Sequence, residues 1–218
     1  MSTESGIPDF RSANGLYNES TKSTCSPEEI LSHSFFMEHT DKFYEFYKAK
    51  MIYTDSKPNN AHTALAKLEE EGKLKAVITQ NIDGLHQLAG SKKVLELHGS
   101  VLRNYCMDCH KYFEVSFVLK STQVPKCNEC GGIVKPDVVL YQEALDTDVL
   151  EAATQYISKA DVLIVGGTSL SIYPASGLVS YYKGKKLVLI NKSQTPYDGR
   201  ANLILNDSIG ELLNKVCR

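Results

Sequence analysis

Four cysteines form two Cys-x-x-Cys pairs whose spacing is typical of a four-thiolate zinc site. The pairs are Cys106 with Cys109 and Cys127 with Cys130, and seventeen residues separate them. A zinc ion held by four thiolates has no open position for water or substrate, so it stabilises a fold without taking part in chemistry. The pattern therefore predicts one structural zinc ion per chain and favours a reducing compartment.

Other interpretations of the cysteine pairs remain open on the residues alone. Redox or incidental cysteines are possible, although they need no such spacing. A nucleic-acid-binding ribbon would use nearby lysines, but Lys111, Lys120 and Lys126 make only a thin basic patch. The remaining thiols, Cys25 and Cys217, are expected to be unpaired.

Polar residues with possible chemistry also follow two short apolar segments. Thr79-Gln80-Asn81-Ile82-Asp83-Gly84-Leu85-His86 stands at the end of one, and His98-Gly99 at the end of another. The first motif could be an ordinary turn built on Asp-Gly. His98 could be a structural group or, because histidine titrates near neutrality, a base for proton transfer.

A third motif, Gly166-Gly167-Thr168-Ser169-Leu170, lies between an apolar segment and a helical pattern. Its glycines would let a ligand approach the backbone, and its hydroxyls could donate to phosphate or ribose oxygens. Asn191 ends the next apolar segment, where a Rossmann unit places a ribose-binding polar residue. Alone the signal is weak, because the sequence contains no Gly-x-Gly-x-x-Gly.

These motifs require strands that end at one edge of a sheet. Several apolar runs lack alternation, as in parallel strands that are buried on both faces. Helical patterns lie between them, over Ala61 to Glu71, over Asp146 to Ser158 and from Pro174 onward. This alternation predicts an α/β fold with a doubly wound parallel sheet. The predicted strands are Ala76–Thr79, Val94–Leu97, Val138–Tyr141, Val162–Val165 and Leu187–Ile190.

Two segments interrupt the alternation. An aromatic-rich helical stretch runs from Ser26 to about Tyr53, and Ser26-Pro27-Glu28-Glu29 has the form of a capping box. Its aromatic residues are expected to pack against a neighbouring layer. The second interruption, about 103–133, contains the cysteine pairs and is expected to be a separately folded insert.

Composition limits the classes of partner. The chain has 218 residues, 42% hydrophobic residues and a net charge of −2, so it has no overall field that would attract nucleic acid or an anionic membrane. It shows neither an apolar run of about 20 residues nor a signal-peptide pattern. We therefore expect a cytoplasmic protein that binds neither membranes nor nucleic acid directly.

Taken together, the motifs resemble those of the sirtuin (Sir2-like) family, in the order found in that family and over essentially the whole chain. Their joint order weakens the purely structural interpretations of each motif. The motifs are Gly6-Ile7-Pro8-Asp9-Phe10-Arg11-Ser12, Thr79 to His86, His98-Gly99, the two Cys-x-x-Cys pairs, Lys135-Pro136-Asp137-Val138-Val139-Leu140-Tyr141 and Gly167-Thr168-Ser169-Leu170.

The resemblance implies a Rossmann-like domain and a small domain, with NAD and an acyl-lysine meeting between them. By this analogy residues 1–30, 70–102 and 134–218 form the NAD-binding domain. The helical insert 31–69 and the zinc-ribbon module 103–133 form the small domain. The implied activity is NAD-dependent deacetylation of protein lysines, which yields lysine, nicotinamide and O-acetyl-ADP-ribose.

The resemblance also assigns roles to individual residues. His98 is the general base, and Asn81 and Asp83 hold the nicotinamide carboxamide. The acyl-lysine peptide adds as a strand along Val139, Leu140 and Tyr141, opposite a loop near 171–174. The remaining NAD-contacting positions are Thr3, Phe10, Arg11, Gln80 and Ile82 near the nicotinamide, Thr168 and Ser169 at the ribose-phosphate, Asn191 at the adenosine ribose and Ile209 at the adenine.

The chain departs from the family pattern in a few places. Members of the family have an earlier strand that ends in Gly-Ala-Gly-x-Ser, whereas this chain starts at Met1-Ser2. We interpret this as an internal start or a truncation, and expect the chain as written to be poorly folded or weakly active. Lys135 replaces a common Arg, and Tyr141-Gln142-Glu143 replaces a common Phe-Gly-Glu. Tyr47 has no arginine partner, which favours acetyl or other uncharged acyl groups.

Two alternative functions remain open. The first is a mono-ADP-ribosyltransferase on the same fold, against which His98 and the acyl-lysine strand argue. The second is a catalytically impaired module that binds NAD and zinc, which the missing first strand would favour.

Overall fold

The computed structural model describes residues 1–9, 15, 25–170, 173 and 175–217. Among these residues the strands form three sheets, two of them parallel and one antiparallel. No helix in the described ranges combines the length and the apolar character that crossing a membrane requires.

The parallel sheets contain the strands whose ends carry the polar motifs. Strand β1 (Val77–Thr79) pairs with β2 (Val94–Glu96), and β6 (Leu163–Gly166), β7 (Leu187–Ile190) and β8 (Leu203–Leu205) pair in that order. In the register, Thr79 lies opposite Glu96 and Gly166 opposite Ile190. Because parallel strands end at the same edge, each pair brings its two following loops together.

Helices pack on these sheets as the periodicity predicts. Helix α4 (Asn60–Glu70) ends before Gly72, whose φ of +72° permits the reversal, and α7 (Thr147–Lys159) begins after its cap Asp146. Asp146 accepts hydrogen bonds from the N–H groups of Asp148 and Val149, two donors that have no partner inside the helix. The predicted α/β arrangement is confirmed for these elements.

A helical module precedes α4. It consists of α1 (Pro27–Ile30), α2 (His33–Glu38) and α3 (Thr40–Lys50). The side chain of Ser26 accepts from the N–H of Glu29, as the cap prediction requires. The aromatic side chains are buried together, with Phe43 and Tyr47 stacked at 5.3 Å. Their predicted packing role is confirmed.

The zinc-ribbon segment contributes an antiparallel sheet, in which β3 (Gly99–Cys106) pairs with β4 (Tyr112–Glu114) and β5 (Val134–Val138). Helix α6 (Val115–Lys120) follows β4. The hydroxyl of Tyr44 donates to the carbonyl of Val134, so the helical module is tied to this sheet. The domain boundaries themselves stay a prediction.

Two predicted elements need correction. The strand predicted over Val138–Tyr141 ends at Val138, because the N–H of Leu140 turns away from the sheet to the Glu143 carboxylate. The helix predicted from Pro174 is a 3-10 helix over Ala175–Tyr181. Pro174 itself lies outside the described residues.

The last helix, α8 (Ile209–Val216), packs against α4. The short helix α5 (Leu85–Leu88) follows the β1 loop. Ala61 and Ala64 of α4 share a buried cluster with Ile209 and Leu213 of α8. This packing joins α4 to the last helix of the described residues.

Two buried histidines link α4 to α5. The rings of His62 and His86 lie 4.8 Å apart at 62°, and His62 is fully buried. Nδ1 of His62 accepts from the N–H of Asn59, which caps α4. Burial lowers the pKa of His62 to about 4, and it also lowers the pKa of His86.

The His62 environment predicts a loss of stability in acid. In the unfolded chain histidine binds a proton below about pH 6.5, whereas folded His62 resists protonation down to a pKa of about 4. The stabilisation is complete above pH 6.5 and is lost as the pH falls towards 4. The variant His62→Gln keeps a capping acceptor. Its free energy of unfolding should lose about 3 kcal/mol less on acidification than that of the natural chain.

Urea unfolding of both proteins between pH 4 and pH 8 measures the effect. The free energy of unfolding should fall more steeply for the natural chain than for His62→Gln. Equal pH slopes for the two proteins would contradict the assignment.

Candidate active site

A cavity of about 2360 Å³ runs along strands β1 and β6, and it includes a cleft where the loops after the parallel strands face the segment after β5. It brings together the predicted site residues that the structure describes, while the four cysteines lie elsewhere. Phe10 and Arg11, with most of the 171–174 loop, lie outside the described residues. The predicted residues lining the cleft are Thr3, Gln80, Asn81, Ile82, Asp83, His98, Val139, Leu140, Tyr141, Thr168, Ser169, Asn191 and Ile209.

The loop after β1 is organised by hydrogen bonds that meet at a serine. Nδ2 of Asn81 donates to Oγ of Ser2 at 2.7 Å, and the Ser2 hydroxyl donates to Oδ2 of Asp83 at 2.5 Å. The second oxygen of Asp83 accepts from the N–H of Leu85. Asn81 and Asp83 are thus fixed in one network at the cleft.

The sequence predicts a role for Thr3 here, whereas the network uses Ser2. Thr3 is an exposed residue of the 3-10 helix Ser2–Ser5, whereas Ser2 is buried between the two polar side chains. A signal was present, because Ser2 matches the serine of the family motif Gly-Ala-Gly-x-Ser.

His98 has the geometry of a base. Its Nδ1 lies 2.9 Å from the carbonyl oxygen of Gln80. Because a carbonyl can only accept, Nδ1 carries the proton and Nε2 keeps its lone pair. Burial lowers the pKa of His98, although the hydrogen bond to Gln80 works in the opposite direction. The ring is therefore neutral at pH 7 and ready to accept a proton.

The residue after the histidine has to be glycine. Gly99 has φ +72°, and a Cβ there would overlap the carbonyl of Asp137. Its pairing with Val138 starts the β3–β5 ladder. In the same corner the N–H of Val139 donates to the carbonyl of His98 at 3.1 Å.

The loop after β6 approaches the β1 loop. Nε2 of Gln80 donates to Oγ1 of Thr168 at 3.4 Å. Gly167 has φ +64°. A Cβ at Gly166 would meet the terminal methyl group of Ile209, so the start of α8 packs closely on the strand end. Asn191 follows β7, and its side chain donates to the carbonyl of Ser193.

This edge fits a dinucleotide in shape and in chemistry. Ribose and phosphate oxygens accept hydrogen bonds from hydroxyl, amide and backbone N–H groups. At the glycine turn, the absence of a Cβ on Gly167 lets Met1 approach the backbone, since a Cβ there would lie 2.6 Å from the Met1 nitrogen. The N-terminus of α8 points its first-turn N–H groups towards the same edge, although Glu4 already accepts from Gly210 there at 3.1 Å.

The segment predicted to bind substrate follows β5. The N–H of Tyr141 donates to the carbonyl of Leu31 at 3.0 Å, and the N–H of His33 donates to the carbonyl of Tyr141 at 2.9 Å. The N–H of Leu140 donates to Glu143. The carbonyls of Leu140 and Tyr141 already accept from the N–H groups of Glu143 and His33. Within the described segment, main-chain recognition of a peptide therefore falls to the Val139 carbonyl.

The four cysteines fit a zinc ion. Their sulfur atoms all lie within 4.8 Å of one another. Sulfur pairs approach to 3.3 Å for Cys106 with Cys130 and to 3.6 Å for Cys109 with Cys127. Tetrahedral zinc with bonds of about 2.3 Å separates its sulfur ligands by about 3.8 Å, so small adjustments suffice. Four thiolates complete the coordination, which makes the site structural.

Comparisons with known proteins agree with this site. The sequence model of the Sir2 family matches residues 1–174. A relative named NAD-dependent protein deacetylase, from Clostridium perfringens, is 66% identical over 99% of this chain and 89% of its own. Another of that name, from Cutibacterium acnes, is 50% identical over 100% of this chain and 89% of its own.

Solved structures resemble the whole chain. Sir2 bound to acetylated peptide has a TM-score of 0.86 and 41% identity, covering 99% of this chain and 87% of that one. A mutant Sir2 homologue in an ADP ribose complex has a TM-score of 0.90 and 38% identity, covering 100% and 86%. The fold is therefore that of a Rossmann-like protein with a zinc-ribbon module. This chain belongs to the Sir2 family.

The zinc site predicts selective metal loss. Cys109→Ser removes one ligand and should lower the zinc affinity by at least about 100-fold, because changes around a ligand alone cost about 10–100-fold. Cys25→Ser is the matched control and should keep one zinc ion per chain. Metal analysis after dialysis against a weak chelator gives the result. Equal zinc content in both variants would contradict the assignment.

Proposed function

We propose that this chain is an NAD-dependent protein-lysine deacetylase. It converts acetyl-lysine, NAD and water to lysine, nicotinamide and O-acetyl-ADP-ribose. The observation that carries the proposal is the geometry of His98. The hydrogen bond between its Nδ1 and the Gln80 carbonyl leaves the Nε2 lone pair free. The ring lies in a cleft between the loops after the parallel strands and the segment after β5. The names of the relatives support the same reaction.

NAD, when bound, would supply a ribose carbon at which the acyl oxygen of the substrate replaces nicotinamide. We assign Asn81 and Asp83 to the carboxamide, because the Ser2 network holds both side chains in place. Fixing them before substrate arrives lowers the entropy cost of reaching the reactive geometry.

The other assigned contacts with NAD follow from position in the cleft. Thr168 and Ser169 lie where β6 ends, and Asn191 lies where β7 ends, which suits the ribose and phosphate groups. Ile209 opens α8 beside Gly166 and suits the adenine. Thr3, Gln80 and Ile82 line the nicotinamide side. Phe10 and Arg11 are assigned to the same side by family resemblance alone.

His98 accepts a proton from a ribose hydroxyl. Its lowered pKa keeps Nε2 unprotonated at neutral pH, and the Gln80 carbonyl stabilises the charge that the ring gains on protonation. The proton leaves to solvent when the product is released. The zinc site takes no part in these steps.

The acyl-lysine peptide lies along Val139, Leu140 and Tyr141 as an added strand. One of its N–H groups then donates to the Val139 carbonyl, and such main-chain contact gives affinity with little dependence on sequence. A structure titled Sir2-p53 peptide-NAD+ shares 42% identity with this chain, which supports peptide binding here. A cytoplasmic location, and the lack of membrane and nucleic-acid partners, stay predictions.

Replacing the base should abolish turnover selectively. His98→Ala should lower kcat by about 10²–10⁴-fold, the usual contribution of general acid–base catalysis. His39→Ala is the matched control, because His39 is exposed and lies at α3, away from the cleft. Mass spectrometry of nicotinamide and O-acetyl-ADP-ribose, formed from NAD and an acetyl-lysine peptide, measures both.

Three outcomes separate the alternatives. Both products from the natural chain and from His39→Ala, with loss in His98→Ala, support the deacetylase. Nicotinamide release accompanied by ADP-ribose on protein, with the acetyl group retained, would identify a mono-ADP-ribosyltransferase instead. A folded, zinc-loaded chain that forms neither product would contradict the proposed function.

A further inference from the structure

The segment after β5 turns at a residue that is not glycine. Gln142 has φ +76°, a left-handed conformation that is unfavourable for a residue with a Cβ. Such a conformation persists only where surrounding contacts hold it. The contacts of Gln142 and of its neighbour Glu143 therefore indicate what this turn does.

Gln142 binds the start of helix α2. Its Oε1 accepts from the N–H of Ser34 at 3.0 Å. Ser34 is the second residue of α2, and N–H groups in a first helical turn have no partner inside the helix. The Gln142 amide thus serves as a second cap beside Ser32, which accepts from the N–H of Phe35. The left-handed backbone is what directs the side chain to this helix.

Glu143 binds in three directions. Its Oε2 accepts from the N–H of Leu140 at 2.8 Å and from Nζ of Lys135 at 3.1 Å. Its Oε1 lies 2.9 Å from Nδ1 of His33. Lys135 belongs to β5 and His33 to α2. One carboxylate therefore joins the segment to both of its neighbours.

The charges around Glu143 are matched to an ionised carboxylate. Burial raises its pKa, but the hydrogen bond from the N–H of Leu140 and those from His33 and Lys135 outweigh burial, so the pKa lies below its ordinary value. Lys135 also donates to the carbonyl of Val138 at 3.0 Å. These contacts are half-buried, with side-chain exposures of 19% for Lys135 and 21% for Glu143.

We propose that Gln142 and Glu143 are positioning residues that lock residues 139–143, the substrate clasp, between α2 and β5, and thereby set the affinity for the acyl-lysine peptide. The inference rests on the proposed function, in which the peptide lies along Val139 to Tyr141. Gln142 stands where the family commonly has glycine, which has no side chain to reach Ser34.

The lock acts on peptide affinity and leaves the chemical step alone. If the segment is already ordered before the peptide binds, the binding free energy is not reduced by the entropy of ordering it. Gln142 and Glu143 bind α2 and β5, and His98 is held separately by Gln80. An interaction made equally in the ground state and the transition state changes KM and leaves kcat unchanged.

Matched variants separate the two residues. Gln142→Asn keeps a side chain that tolerates the left-handed backbone but is one methylene shorter, so it loses Ser34. Gln142→Gly also loses Ser34 while relieving the backbone. Glu143→Gln keeps an acceptor for Leu140 without the charge, and Glu143→Ala keeps neither. Glu151→Gln, on the exposed face of α7, is the control.

Amide hydrogen exchange, followed by NMR, reports the lock without any turnover. Exchange at Ser34 should rise about tenfold in both Gln142 variants, and exchange at Leu140 should rise about tenfold in Glu143→Ala, as expected for one lost hydrogen bond. Steady-state kinetics should show peptide KM raised about tenfold, with kcat and the KM for NAD within about twofold. Glu143→Gln should recover part of the Glu143→Ala loss.

The outcomes decide the proposal. Raised exchange with unchanged peptide KM would overturn it, as would a fall in kcat at constant KM. Wild-type affinity in Gln142→Gly would remove Gln142 from the lock. If the natural chain does not turn over, the proposed function fails by itself. The fluorescence anisotropy of a labelled acetyl-lysine peptide then measures its affinity for the natural chain and for the variants. Equal affinities would overturn the proposed lock, and weaker binding by the variants would support it.

Discussion

The junction His98–Gly99 is the constraint on which the rest of the site depends. At position 99 only glycine fits against the Asp137 carbonyl. Gly99 thereby allows the chain to leave the parallel sheet and begin the antiparallel one. In that corner the His98 ring binds Gln80, and the His98 carbonyl binds Val139. One turn therefore fixes the base, the β1 loop and the start of the substrate clasp relative to one another.

The structure separates groups that stabilise from groups that react. The aromatic cluster of the helical module and the four-cysteine site are closed, with the rings buried and the sulfur atoms mutually close. The cleft, in contrast, is lined by amide, hydroxyl and imidazole groups held by neighbours, as Ser2 holds Asn81 and Asp83. Such fixed polar groups cost little reorganisation when charge develops during a reaction.

Much of this arrangement could be predicted from the sequence, because it rests on local patterns. The spacing within each Cys-x-x-Cys pair, the Ser26 cap and the helical pattern over Ala61 to Glu71 each depend on residues a few positions apart. The end of β5 could not be predicted, because Leu140 exchanges a ladder bond for the carboxylate of Glu143. The family motif marks Ser2, but its contacts with Asn81 and Asp83, about 80 positions away, could not be predicted. The left-handed Gln142 depends likewise on α2.

The protonation state of His98 tests the central claim most directly. Long-range proton–nitrogen NMR on the folded chain distinguishes the two ring nitrogens. The account predicts Nδ1–H with unprotonated Nε2 at pH 7, and a titration midpoint below the ordinary histidine value of about 6.5, since burial lowers the pKa. A ring protonated on Nε2 at pH 7, or a midpoint above 6.5, would contradict the assignment of His98 as the base.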